Sequence, residues 1–360
     1  MTRPHMGLRS RRAASQGCFL VLAILLLSPA ASLAQDLRAE TDAVVLIYHR
    51  FGETDIPLTN IRVDQFEAQL DELEKDKYTV VPLARIVEAL RDGEPLPDHA
   101  VAITVDDAYS SFKEVGWPMI RERGFPVTLF VATEAVDQGY RGILSWDEIR
   151  ELDSQGVAIG HHGKAHIHMV EAGLAAARAD IEQASRRFEA ELGEVPELFA
   201  YPYGEYSLAL EKLVEELGFT GAVAQYSGVA ALHEGLFSLP RFPFNERYSE
   251  MNDFRLKATA IALIARDMIP RGPVIEDDDA NPPPVGFTVP GGGEALSRMT
   301  CFPSHTGPVE PKVVAGKRVE IRVDKPFPMG RSRINCTLRD RSGRWFWQGK
   351  FFYRPGAPSD

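Results

Sequence analysis

Beyond residue 43 the chain alternates between two hydrophobic rhythms. Short apolar, β-branched runs occur at Val44–Tyr48, Tyr78–Val81, Val101–Val105, Pro126–Val131, Val157–Gly160, Leu198–Tyr201 and Phe219–Ala224, and read as strands. Between and after them apolar residues recur every three or four positions. That period predicts helices over Asp64–Lys75, Leu83–Arg91, Ser110–Arg123, Trp146–Ser154, Leu174–Leu192 and Ser207–Leu217, and a last one over Asp253–Asp267. Seven β-then-α units predict an α/β fold with a parallel sheet under helices, best closed as a distorted (β/α)7 TIM-like barrel. An open, doubly wound sheet is the alternative. In both, reactive groups belong where strands end and loops begin.

The rhythm then changes. Glu276–Pro284 is acidic and proline-rich, so residues 271–284 read as a linker between a barrel over 35–270 and a small all-β, sandwich-like domain over 285–360. In that last segment Lys317–Val323 and Arg344–Tyr353 alternate with period two, and Arg341–Arg344 suits a hairpin turn. Trp345 and Trp347 share a strand face. Exposed, they would stack on sugar rings; buried, they are core.

The amino terminus is a different kind of segment. Basic residues precede the apolar run Cys18–Leu27, and Ser32–Ala34 supplies small residues for cleavage, so residues 1–34 read as a cleavable signal peptide and the mature chain as secreted or periplasmic. An uncleaved anchor is the alternative, although the run is short for a bilayer, and no later segment is long and apolar enough to span one. Export gives the cysteines meaning. Losing Cys18 leaves Cys301 and Cys336, and an even pair in an oxidising compartment is expected to form a disulfide, two unrelated buried thiols being the other possibility.

Charge separates the same regions. The net charge of −11 excludes a general nucleic-acid binder. It averages four arginines in residues 1–34, 23 basic against 45 acidic residues over 35–284, and 13 basic against 6 acidic residues over 285–360. The basic tail domain is expected to meet an anionic cell-surface polymer.

Chemistry concentrates at strand ends. Thr104-Val-Asp106-Asp107 puts two carboxylates after an apolar run; one can hold a cation while the other takes a proton, or both can be helix caps or solvated loop residues. Gly160-His-His162-Gly-Lys-Ala-His166-Ile-His168 packs four of the nine histidines into eight residues. His162 and His166, four apart, can turn two imidazoles to one point. Two histidines and a carboxylate leave a position open for water, as hydrolytic metal centres require; a histidine-rich surface loop is the other reading. His161 and His168 fall outside the best spacing. In Phe199-Ala-Tyr-Pro202-Tyr203-Gly204 the proline and glycine fix a tight turn that can aim a backbone N–H at an oxyanion, or simply turn the chain. His49 ends the first strand.

In this order the three motifs resemble the polysaccharide deacetylases of the NodB-homology type over roughly Ala43 to Arg247. The resemblance implies a metal-dependent enzyme on a distorted barrel that removes N-acetyl groups from glycans. By position, Asp106 resembles the catalytic base; Asp107, His162 and His166 resemble the metal ligands; Tyr203 resembles the residue whose N–H faces the oxyanion, with Pro202 shaping its turn. The cation implied is divalent, zinc first, with cobalt, nickel or iron as alternatives. Two departures are informative. Ala200 stands where an arginine is common, and Leu232-His233 lacks the spacing of the usual acid motif. Both resemble the permuted branch that includes poly-β-1,6-N-acetylglucosamine deacetylases, which makes His49 the candidate acid. Arg241 becomes the candidate replacement for the missing arginine. Trp146 is expected either to line the sugar groove or to cap a barrel helix. Two rival functions stay open: a glycan-binding protein with a vestigial barrel, and a metal-dependent hydrolase of small cyclic amides.

Overall fold

The computed structural model describes residues 37–276 and 280–356, so the signal-like segment 1–34 lies outside the described residues. Six parallel strands pair in sequence order: β1 (Asp42–Tyr48), β2 (Ala100–Asp106), β3 (Val127–Val131), β4 (Ala158–His161), β5 (Leu198–Ala200) and β6 (Gly221–Val223). Every residue of β1 and β2 is buried, which is why both read as unbroken apolar runs rather than alternating ones. The two ends of this sheet are joined by one short segment. Leu239 bridges to Val223 of β6, and β7 (Phe242–Pro243) pairs parallel with Leu46 and Ile47 of β1, giving a small, distorted barrel.

Seven strand positions are therefore filled, but not by the seven runs expected. Tyr78–Val81 shrinks to Thr79–Val80, which pairs only with the start of β2. The closing position goes to β7, which Pro240 just before it and its own Pro243 hide from a strand search. The helices α1 (Val63–Leu73), α2 (Leu83–Asp92), α3 (Trp117–Glu122), α4 (Trp146–Ser154), α5 (Leu174–Leu192) and α6 (Leu208–Glu216) pack outside. Only α3 departs far from expectation. Its first half is a π-helical turn over Phe112–Gly116, and Pro118 stands in the first turn of the α-helix that follows.

The expected last helix is a correction. It stops as α7 (Met251–Ala258), and the chain continues as β8 (Ile261–Ala262) and β9 (Arg266–Ile269). The Arg344 Nε–H donates to the Thr259 carbonyl at 2.9 Å just past the helix end, and β-branched Ile261 enters a sheet. Beyond β9 follow β10 (Val285–Thr288), β11 (Thr300–Pro303), β12 (Lys312–Val314), β13 (Arg318–Ile321), β14 (Gly330–Arg339) and β15 (Trp345–Arg354). They form two four-stranded sheets, ordered β8-β15-β14-β11 and β9-β10-β13-β12. Phe287 and Val319 of one sheet share a core with Ile334, Phe346 and Phe352 of the other. Cys301 and Cys336 face each other across β11 and β14 and form a disulfide.

Because β9 pairs antiparallel with β10, the segment 271–284 connects two neighbours within one sheet. The sheets also dock on the barrel. Trp347, half-buried, meets Phe242 of β7 edge-on at 5.0 Å, and its Nε1–H donates to Asn335 Oδ1 at 3.3 Å. Phe351 and Tyr353 join Phe199, Tyr201 and Tyr206 in one apolar cluster. Gly349 is obligatory at this seam, where a Cβ would lie 2.1 Å from the Ser227 carbonyl oxygen.

Candidate active site

The strand ends converge as a barrel requires. Asp106 closes β2, His161 closes β4 with His162 next, Ala200 closes β5, His49 follows β1 and Arg241 precedes β7. Asp107 sits at φ 76°, a left-handed turn that swings its carboxylate beside that of Asp106, and its N–H donates to the Phe130 carbonyl at 3.0 Å.

Three donor atoms meet there. Asp107 Oδ1 is 3.4 Å from His162 Nε2 and 3.3 Å from His166 Nε2, and one ligand atom from each residue lies within 4.8 Å of the other two. Bonds of about 2.0–2.2 Å to a tetrahedral cation need ligand separations of this order, so the residues fit a metal. His162 Nδ1 lies 2.7 Å from the Ala200 carbonyl oxygen, which fixes that nitrogen as the donor and leaves Nε2 as a lone pair for the cluster. Burial, reinforced by the neighbouring His162, pushes His166 down to about 4, keeping its imidazole neutral and able to ligate. For Asp107, burial opposes the charge, but the neighbouring His162, His166 and His49 outweigh it and hold the carboxyl well below its usual range.

The loop that presents His166 is shaped from α5. Asp180, nearly buried, accepts the N–H of Lys164 at 2.7 Å and of Ala165 at 2.9 Å. Gly163, at φ 74°, leaves room for that carboxylate, because a Cβ there would lie 2.7 Å from Asp180 Oδ1. Asp180 carried no sequence signal beyond its place in a helix.

Asp106 is held differently. It is 3% exposed, and Arg241 grips both its oxygens, Nη1 to Oδ1 and Nη2 to Oδ2 at 2.8 Å each. Arg241 is itself fully buried and tied to the Ala224 carbonyl at 2.8 Å and Thr104 Oγ1 at 3.2 Å. Burial disfavours the Asp106 charge, yet the guanidinium and His162 outweigh it and keep the carboxyl below its usual range. His162 Nε2 lies 4.0 Å from Asp106 Oδ2, so the second carboxylate borders the three-donor cluster without joining it. His49 feels the charges of Asp107, Asp106, Arg241 and His162; burial dominates and lowers its pKa.

Past β5 the turn Pro202–Gly204 folds Tyr203 into the left-handed region at φ 59°. The Tyr203 ring packs edge-on to His166 at 4.4 Å and stacks flat on His168 at 3.8 Å. His168, expected to be a bystander, therefore backs the turn, and its Nδ1 is 2.8 Å from Glu205 Oε2. His161 is core: it is fully buried among Phe188, Phe199 and Phe219, and burial pushes its pKa down to about 3.

Trp146 is packed against the barrel wall. It opens α4 after the Ser145 cap, is 9% exposed, stacks edge-on against Phe188, and donates its indole N–H to Asp137 at 2.7 Å. Little of the ring remains for a sugar. Sequence reasoning missed Tyr109, which lies two residues past Asp107. Arg50 covers its ring at 3.4 Å, and burial, reinforced by the nearby Asp107 charge, pushes its hydroxyl pKa up to about 12.

Comparison with known proteins points the same way. A family model described as Polysaccharide deacetylase matches residues 93–222. YxkH of Bacillus subtilis, which is assigned to the polysaccharide deacetylases, is 22% identical over 200 residues, covering 55% of this chain and 69% of YxkH. The poly-β-1,6-N-acetyl-D-glucosamine N-deacetylase of Escherichia coli is 26% identical over 226 residues, 51% of this chain, which spans only 33% of that relative. The Streptococcus pyogenes deacetylase PplD shares the fold with a TM-score of 0.56 at 20% identity, covering 61% of this chain and 99% of its own. The chain thus carries, over residues 93–222, a domain matched by the polysaccharide deacetylase family model, and its homologues indicate a deacetylase hydrolase.

Proposed function

We propose that this protein is a metal-dependent hydrolase that removes N-acetyl groups from an amino-sugar polysaccharide outside the cytoplasm. The observation that carries the reading is the meeting of Asp107 Oδ1 with His162 Nε2 at 3.4 Å and His166 Nε2 at 3.3 Å, beside a second, guanidinium-held carboxylate. A divalent cation, zinc first and cobalt, nickel or iron as alternatives, would supply Lewis acidity at the acetamide carbonyl and acidify a water.

The chain's own residues do the rest. Asp106 takes a proton from water as that water attacks the carbonyl carbon, and Arg241 keeps the carboxylate ionised and aimed. The Tyr203 N–H, set by the Pro202 turn, faces the developing oxyanion. His49 in its protonated form passes a proton to the nitrogen as the C–N bond breaks, releasing acetate and a free amine on the sugar. The 285–360 segment, with 13 basic and 6 acidic residues, is read as docking on an anionic cell-surface polymer. Among the described residues no helix is long and apolar enough to cross a membrane.

Acetate release from chitooligosaccharides, β-1,6-linked glucosamine oligomers or peptidoglycan tests the reading. Release should stop with a chelator and fall about a hundredfold or more in Asp106→Asn with metal still bound. Full activity in either case would overturn it.

A further inference from the structure

The Tyr203 turn is not held by the barrel alone. Arg331, from β14 of the C-terminal sheets, donates from Nη1 to the Tyr203 carbonyl oxygen at 3.0 Å, and its guanidinium carbon lies 5.9 Å from the Tyr203 ring centre. Its Nε is 3.8 Å from Glu205 Oε1. Glu205 is 3% exposed, and its other oxygen meets His168, whose ring lies flat on that of Tyr203. A closed circuit thus runs from Arg331 through Glu205 and His168 to Tyr203 and back. The same sheet braces the segment beside His168, because Tyr353 Oη donates to Glu171 Oε1 at 2.8 Å and the Gly356 N–H reaches that oxygen at 2.7 Å.

A non-glycine residue at positive φ is strained and persists only where its surroundings over-determine it. Two peptide planes flank Tyr203. Arg331 holds the carbonyl plane while His166 and His168 hold the ring, and together these contacts restrain the two backbone dihedrals that set the direction of the N–H plane. Gly204 adds to the confinement, since a Cβ there would lie 2.3 Å from the Gln225 backbone nitrogen.

We infer that the C-terminal β domain is part of the reaction centre, with Arg331 as a positioning residue that aims the Tyr203 N–H. This rests on the deacetylase reading above for its kinetic consequence, but not for its structural one. Only the transition state carries the oxyanion, so a misaimed donor costs turnover more than substrate affinity.

The test uses full-length, metal-loaded protein. Arg331→Ala should lower kcat about tenfold with KM within about twofold, leave metal content unchanged, and speed amide hydrogen exchange in a peptide covering 201–206. Arg331→Lys, which keeps one donor and the charge, should recover kcat to within about threefold. Glu205→Gln, of the same shape, should speed exchange in the same peptide. Unchanged exchange there in both Arg331→Ala and Glu205→Gln would overturn the inference, as would unchanged kcat in Arg331→Ala. A wild-type protein that releases no acetate would instead sink the deacetylase reading, and the exchange measurement would still decide the bracing.

Discussion

Arg241 and Asp106 form a two-pronged ion pair inside the barrel, with both guanidinium nitrogens 2.8 Å from the carboxylate oxygens and the arginine fully buried. Arg241→Met would leave a buried carboxylate without compensation, which costs about 3–5 kcal/mol. Urea unfolding should show that loss, and acetate release should fall at least tenfold. Arg241→Lys keeps the charge but not the fork, so stability should recover more than activity. A variant as active and stable as wild type would refute the account.

His162 and His166, the proposed metal ligands, should separate metal affinity from folding. The His166 side chain is 28% exposed, whereas that of His162 is 2% exposed and also serves the Ala200 carbonyl. Alanine at either position should abolish metal retention, measured by elemental analysis. Only His162→Ala should also lower the metal-free melting temperature, by an amount equivalent to about 1–3 kcal/mol for an orphaned carbonyl and a small cavity. Equal melting losses would contradict this division.

Acid stability should depend on Glu72, which is 2% exposed in α1. Burial works against its charge, but hydrogen bonds from Lys75, Arg255 and Lys77 outweigh it and hold the carboxyl down at about 2. A carboxyl whose pKa is depressed on folding stabilises fully above its unfolded value, near 4.5 here, and loses that contribution as pH falls toward 2. The denaturation midpoint of wild type should therefore fall more steeply than that of Glu72→Gln between those limits. Parallel profiles would rule Glu72 out.

The disulfide closes a loop with a sequence separation of 35 residues. Its removal as Cys336→Ser should cost roughly 4 kcal/mol by loop-closure entropy, seen as a lower urea midpoint under oxidising conditions. An unchanged midpoint would mean that the sheets alone hold the domain.

Much of this was readable in one dimension, for a local reason. Strands buried on both faces give continuous apolar runs, and the candidate site's carboxylates and imidazoles lie in two compact motifs at and just past the ends of β2 and β4, Asp106-Asp107 and His162-x-x-x-His166. Features made by distant pairing left little trace. Residues Leu239–Pro243 look like a proline-broken loop until Val223 and Leu46 supply partners on either side. The helical period after Asp253 ran on past a helix that a contact from Arg344 ends at Thr259. Trp146 could not be assigned without Phe188 and Asp137. Glu205 and Arg331 stand 126 positions apart in the sequence, and only the folded chain brings them to one turn.

The segment that carries Arg241 is also the one that joins β6 to β1. Opening the barrel at that seam would withdraw the guanidinium and strand the charge of Asp106 in an apolar interior. Architectural closure and charge neutralisation are thus a single thermodynamic event. Separating β6 from β1 would therefore cost the ion pair as well as the strand contacts, which couples the geometry of the site to the sealing of the cylinder.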